Sequence, residues 1–167
     1  MIMMEDFVKE KEYLYKYRSL RNFARFVDIL LYNRLHGFTY TQLDDAMKGR
    51  FNEPVGTDRD ILQKIRSEKE SYNLCSLSNI ATSSPVWALY ADEYKGCCIE
   101  LEVTSKKWER VEMRYSDKMP TVCDDVKKII TTKSKEWQHQ QEVRYLKKII
   151  RGSRESKTLI GLSLDCV

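Results

Sequence analysis

With 167 residues, 42% hydrophobic and 32% charged, the chain is long enough for one respectable core and has an ordinary globular composition. Three Pro and six Gly argue against long linkers, and no apolar run approaches the about 18 residues that span a bilayer. The opening Met1-Ile-Met-Met-Glu-Asp6 lacks the basic and apolar regions of a secretory signal, so a cytoplasmic single domain over 1–167 with no membrane partner is expected.

Tyr13-Leu-Tyr-Lys-Tyr-Arg18 alternates and is aromatic, and predicts a first strand. Phe23, Phe26, Val27, Leu30 and Leu31 keep helical spacing after a capping Ser19 or Asn22, which predicts a helix near 21–33. A short strand is expected over 38–43. Arg50-Phe-Asn-Glu-Pro-Val-Gly56 predicts a loop punctuated by Pro54 and Gly56. Asp58 caps a charged helix near 58–71, and Tyr72-Asn-Leu-Cys-Ser-Leu-Ser78 is a strand. Ser84-Pro85 opens a helix over 84–92, stopped before Gly96.

Cys97-Cys-Ile-Glu-Leu-Glu-Val103 and Arg110-Val-Glu-Met-Arg-Tyr115 predict strands, 121–137 a helix, and 143–150 and 159–167 the last strands. The chain stops inside that last apolar pattern, as expected of a compact or shortened version. The sum is an α+β domain with a mostly antiparallel, split β-sheet and interspersed helices. Trp87, Ile99, Leu101, Ile129, Val143 and Tyr145 lie on the apolar phase of their elements and are the expected core.

The net charge of +4 is uneven. From Lys127 to Lys157 ten Lys and Arg face three Glu, a local +7 that leaves −3 for the rest. Such a basic region invites a phosphate-bearing partner, nucleotide or nucleic acid, although basic helices and edge strands are also ordinary surfaces. Cys75, Cys97, Cys98, Cys123 and Cys166 form no Cys-x-x-Cys pair, so reduced thiols and no metal site are expected.

The segment from Lys135 to Leu146 carries the chemistry. A helical pattern ends at Trp137 and a strand pattern begins near Glu142, so Gln140 and Glu142, two apart, are expected on one face. An amide beside a carboxylate suits gripping a sugar, and the carboxylate suits stabilising positive charge as a glycosidic bond opens. Arg18 offers a planar, permanently charged fork for a pyrophosphate or ribose. Trp87 and Tyr90 share a helix face, where one can stack on a ring.

Other groups are poorer candidates. His36 and His139 lack a neighbouring nucleophile motif, and Asp44, Asp45, Asp58 and Asp60 lack a cation-binding loop pattern. Glu100 and Glu102 are expected outward, where they can pair with Arg144 across the sheet.

Several blocks resemble one family. Phe51-Asn-Glu-Pro54, Cys75-Ser-Leu-Ser78, Val86-Trp-Ala-Leu-Tyr-Ala91, Lys95-Gly-Cys-Cys-Ile-Glu100 and Trp137 through Arg144 occur in the order of the domain of unknown function catalogued as 2971. That family is common in bacteria and their phages. The departures are Leu89 for a usual His, Glu53 for Asp and Gln140 for the first Glu of the late block. More distantly, Arg18 on an early strand, Ser76 and Ser78 on a middle one, and Gln140-Gln-Glu142 resemble the ADP-ribosyltransferase superfamily.

The second resemblance implies an ADP-ribosyltransferase-like fold and an enzyme that consumes NAD as substrate, by ADP-ribosyl transfer or glycohydrolysis. Glu142 and Gln140 would be catalytic, while Arg18, Ser76, Ser78, Trp87 and Tyr90 would hold the dinucleotide. A nucleic acid or protein would be the acceptor, in a bacterial or phage defence or toxin setting. The competing expectation is a non-catalytic nucleic-acid- or protein-binding module built on the basic carboxy-terminal half. Convergence of Arg18, Ser78 and Glu142 in one cleft favours the first reading, and dispersal over the surface favours the second.

Overall fold

The computed structural model describes residues 12–42, 49–104 and 106–149, and the backbone of 159–163. In chain order these form β1 (Leu14–Arg18), α1 (Phe23–Tyr32), β2 (Arg34–His36), β3 (Phe38–Thr39), a 3₁₀ turn (Tyr40–Gln42), α2 (Arg59–Glu70), β4 (Tyr72–Ser78) and α3 (Ser84–Tyr90). There follow β5 (Cys97–Val103), β6 (Glu109–Glu112), β7 (Arg114–Tyr115), α4 (Val126–Ile130), β8 (Thr132–Lys133), a second 3₁₀ turn (Lys135–Gln140), β9 (Glu142–Lys148) and β10 (Leu159–Ser163). The fold is α+β, as composition and periodicity predict.

Its main sheet has eight antiparallel strands in the order β2-β10-β5-β1-β4-β9-β6, with β3 also against β4. The ladder is uneven. β1 pairs with β5 along its whole length and β4 with β9 along theirs, but β1 and β4 share only the pair Tyr15↔Ser78. The sheet is therefore two well-knit halves joined at one point, and it opens where β1 and β4 part.

Three apolar clusters hold this arrangement. Leu14, Cys75, Leu77, Leu101 and Val143 pack under Ile29 of α1 and Leu35 of β2. Tyr72, Leu74 and Leu146 pack against Ile65 of α2 and Val126, Ile129 and Ile130 of α4. Tyr17 packs with Val86 and Ala91 beside α3. β4 is buried on both faces because alternate residues serve different clusters. Of the expected core, Leu101, Ile129, Val143 and Tyr145 are buried. Trp87 and Ile99 are only half-buried: Val86 occupies the inward position of α3, and Ile99 lies at the margin of the first cluster.

Strands 72–78 and 97–103 and the Asp58 cap match expectation. α3 ends at Tyr90, and its cap position is Ser83 rather than Ser84. The Ser83 hydroxyl donates to the His139 carbonyl at 2.9 Å, tying α3 to the second 3₁₀ turn instead of capping its own helix. The expected strand over 38–43 shortens to Phe38–Thr39 before turning into 3₁₀ geometry, and Leu43 lies outside the described residues. β10 is described to Ser163, so 164–167 also lie outside. α1 docks through Ile29, leaving Phe23, Leu30 and Leu31 exposed although they keep apolar spacing.

The largest correction concerns 121–137. Asp125 caps α4 by accepting from the Lys127 amide, but the helix stops after five residues. Thr131 and Thr132 turn their hydroxyls back onto the carbonyls of Lys127 and Lys128, each at 2.7 Å. The backbone then pairs with β7: the Arg114 amide donates to the Thr131 carbonyl at 2.8 Å and the Ser116 amide to Lys133 at 2.9 Å. The expected strand 110–115 is divided for the same reason. At Met113 its amide turns to the Glu142 carbonyl and its side chain enters the interior.

Candidate functional site

Where β1 and β4 part, a cleft of about 380 Å³ opens between the strands, walled by α1, α3 and the end of the second 3₁₀ turn. In register terms Tyr15 faces the same way as Ser78, and Ser78 the same way as its partner Glu142. Lys16 and Arg18 alternate onto the other face. Because the strands diverge, both sets line one opening.

Six of the seven residues expected at the site meet here: Arg18, Ser76, Ser78, Tyr90, Gln140 and Glu142. Trp87 does not line the cleft. Its indole nitrogen donates to the Ala81 carbonyl at 2.7 Å, and its ring stacks on Tyr94 and meets Tyr17 edge-on. Leu89, one turn beyond Val86, forms cleft wall with it.

Glu142 is the best-held group. Its side chain is 6% exposed, with one oxygen 2.6 Å from Arg144 Nε and the other 2.5 Å from Lys133 Nζ. Burial pushes its carboxyl up, but Arg144 and Lys133, helped by the Ser76 hydroxyl, outweigh that and bring it down to about 2. It is a fixed negative charge at neutral pH. Arg144 is held by Glu142 and the Ile130 carbonyl while Glu100 accepts from Tyr15, so the expected cross-sheet pair of Arg144 with Glu100 is not formed.

Gln140 is not on the strand. It ends the 3₁₀ turn, and Gln141 follows in the left-handed region (φ 40°), re-aiming the chain before β9 begins at Glu142. The two side chains are brought together by Lys133, which also donates to Gln140 Oε1 at 2.7 Å. The Gln140 amide nitrogen donates to the Tyr90 hydroxyl at 3.0 Å, so its orientation is set at both ends. Ser78 is committed to structure: its hydroxyl donates to the Gln140 carbonyl at 2.7 Å and accepts from the Ile80 amide. Ser76 is the serine that reaches Glu142.

The β1 side is cationic. Arg18 Nε is buried and has no hydrogen-bond partner among the described residues, and burial pulls its guanidinium below its usual value. Lys16 donates to the Ser76 carbonyl at 2.5 Å, and Arg25 lies over the Phe38 ring at 4.6 Å. Thus Lys16, Arg18, Arg25, Lys133 and Arg144 face the cleft against one carboxylate, Glu142. An orphaned guanidinium nitrogen within such a set suits an anionic ligand.

Sequence reasoning missed Lys16, Arg25, Lys133 and Phe38. Lys16 had a signal, since it shares the strand phase of Arg18. Lys133 had none, because it lay in the expected helix. Asp58 is used as a helix cap, Asp28 holds His36 at 2.7 Å, and Asp44 and Asp45 lie outside the described residues. Cys75, Cys97, Cys98 and Cys123 are free thiols; Cys123 is exposed rather than in an apolar setting, and Cys166 lies outside the described residues. No helix among the described residues is long and apolar enough to cross a membrane.

No family model, curated protein or solved structure matches the chain.

Proposed function

We propose that the cleft binds NAD and that the protein consumes it, by ADP-ribosyl transfer or by glycohydrolysis, in the manner of ADP-ribosyltransferases. One observation supports this reading: β1, β4 and β9 are neighbours, so Arg18, Ser78 and Glu142 come from early, middle and late positions of the sequence to one cleft. That is the convergence expected of a dinucleotide site and not of a dispersed binding surface.

Lys16, Arg18 and Arg25 supply positive charge for the pyrophosphate, and the buried Arg18 Nε gains the acceptor it lacks. When the bond between the ribose C1 and the nicotinamide nitrogen breaks, the electron pair leaves with the ring, which departs neutral. The ribose becomes an oxocarbenium ion. Glu142, ionised throughout the neutral range, meets that charge as an electrostatic stabiliser and is too acidic to serve as the proton donor. Gln140, fixed by Lys133 and Tyr90, orients the departing ring or the incoming acceptor.

The binding-module alternative has less support. Of the seven Lys and Arg described between 127 and 149, six form ion pairs: Lys127, Lys128, Lys135 and Lys148 with Glu109, Asp124, Asp117 and Glu68, and Lys133 and Arg144 with Glu142. The described part of the basic run is thus largely paired where it stands, while Arg151, Arg154 and Lys157 lie outside the described residues. The deciding experiment incubates the protein with NAD and follows nicotinamide release, alongside calorimetric titration with NAD. Absence of both NAD binding and nicotinamide release would end the proposal.

A further inference from the structure

The ammonium of Lys16 is placed unlike that of the exposed lysines among the described residues. It lies mid-strand on β1, where β1 and β4 have stopped pairing, and it donates to the Ser76 carbonyl that β1 no longer reaches with its own backbone. No carboxylate among the described residues forms a salt bridge with it. The groups facing it are Arg18 on its own strand, Arg25 from α1, Cys75 from β4 and Glu142 from β9, while β5 sets the uncharged Ile99 opposite it. Glu142 has both oxygens engaged by other cations. Burial is the main influence and brings the amine down to about 8; Arg18 and Arg25 act with it, Cys75 and Glu142 against it. Near neutral pH its nucleophilic, uncharged share exceeds that of an ordinary lysine by roughly 10²-fold.

We infer that Lys16 is a carbonyl-reactive amine that forms an imine with phosphorylated aldehydes bound in the cleft. Arg18 lies two residues further along the same strand phase and, with Arg25 of α1, lines the same cleft. Arg18 and Arg25 would hold the phosphate while the Lys16 nitrogen attacks the carbonyl carbon. The carbonyl π-pair moves to oxygen, a proton passes by way of solvent from nitrogen to that oxygen to give the carbinolamine, and the second nitrogen proton follows as the hydroxyl leaves as water and the imine forms. Amine plus aldehyde thus yields imine plus water, with no oxidant required.

The inference rests on the cleft being a phosphate site but not on NAD being cleaved. Should NAD be cleaved, the product ADP-ribose is itself such a ligand in its open-chain form, and Lys16 would become a site of self-modification.

Pyridoxal 5′-phosphate with cyanoborohydride at pH 7.5, followed by peptide mass mapping, tests this on the intact chain. Lys16 should label at least 10-fold faster than Lys95 and Lys135, whose side chains are 69% and 58% exposed. Phosphate-free pyridoxal should label Lys16 at least 10-fold more slowly, and inorganic pyrophosphate should protect it. Its labelling rate should inflect near pH 8. Lys16→Arg should abolish that modification while leaving a folded, charged cleft. Labelling of Lys16 no faster than of the exposed lysines, or equal labelling by pyridoxal, would overturn the inference. If pyrophosphate still binds by calorimetry in that case, only the imine chemistry fails; if pyrophosphate does not bind, the phosphate-site reading fails with it.

Discussion

Lys133 Nζ lies 2.5 Å from Glu142 Oε2, with the two side chains 4% and 6% exposed. Two charges this deep are costly to desolvate, and a third, Arg144, completes the set by taking the other carboxylate oxygen. The consequence is asymmetric. Glu142→Leu strands two buried cations and should cost about 3–5 kcal/mol of stability. Lys133→Met leaves Arg144 to neutralise Glu142 and should cost clearly less. Urea unfolding of the two variants, compared at equal m-value, checks the order.

Acid stability follows from the same carboxylate. Its pKa is depressed to about 2 in the folded state from an ordinary 4.5, so its contribution is present in full above the ordinary value and is lost as pH falls toward 2. The amount at stake is on the order of 3 kcal/mol. Stability of the native protein should therefore decline between about pH 4.5 and 2, and Glu142→Gln should flatten that limb in an acid titration followed by circular dichroism.

On turnover, two substitutions should separate charge from binding. Glu142→Gln keeps shape while removing the charge that meets the oxocarbenium ion, so nicotinamide release should fall by about 10²-fold or more with little change in affinity. Arg18→Ala should mainly raise the dissociation constant for NAD. Full nicotinamide release by Glu142→Gln would sink the assigned role of that carboxylate.

Gly96 positions Arg18 from behind. A Cβ at residue 96 would lie 2.2 Å from the Arg18 carbonyl oxygen and 2.8 Å from that of Ala91, both backbone atoms that cannot swing aside. Gly96→Ala should therefore push β1 from the end of α3, destabilise by about 1–3 kcal/mol and weaken ligand binding along with Arg18. Thermal melts paired with NAD titration test whether both effects appear together.

Period-two alternation bounded by turn residues marked β4 and β5 to the residue, because strands packed on both sides or alternating cleanly leave little freedom of register. The same alternation placed Arg18, Ser76 and Ser78, and the Gln140–Glu142 block stood out by residue type alone. Tertiary structure decided the rest. A helical period through 121–137 was overridden by pairing of Thr132 and Lys133 with β7, since the helical preference of Val, Ile and Thr amounts to only tenths of a kcal/mol per residue. That pairing delivers Lys133 to Glu142 and Gln140. The side of α3 facing the cleft was likewise settled by burial of Val86, which turns Trp87 toward Tyr94 and leaves Leu89 and Tyr90 at the opening. Local periodicity encodes which residues alternate, whereas the partner strand and the burial of a neighbour decide which of them meet.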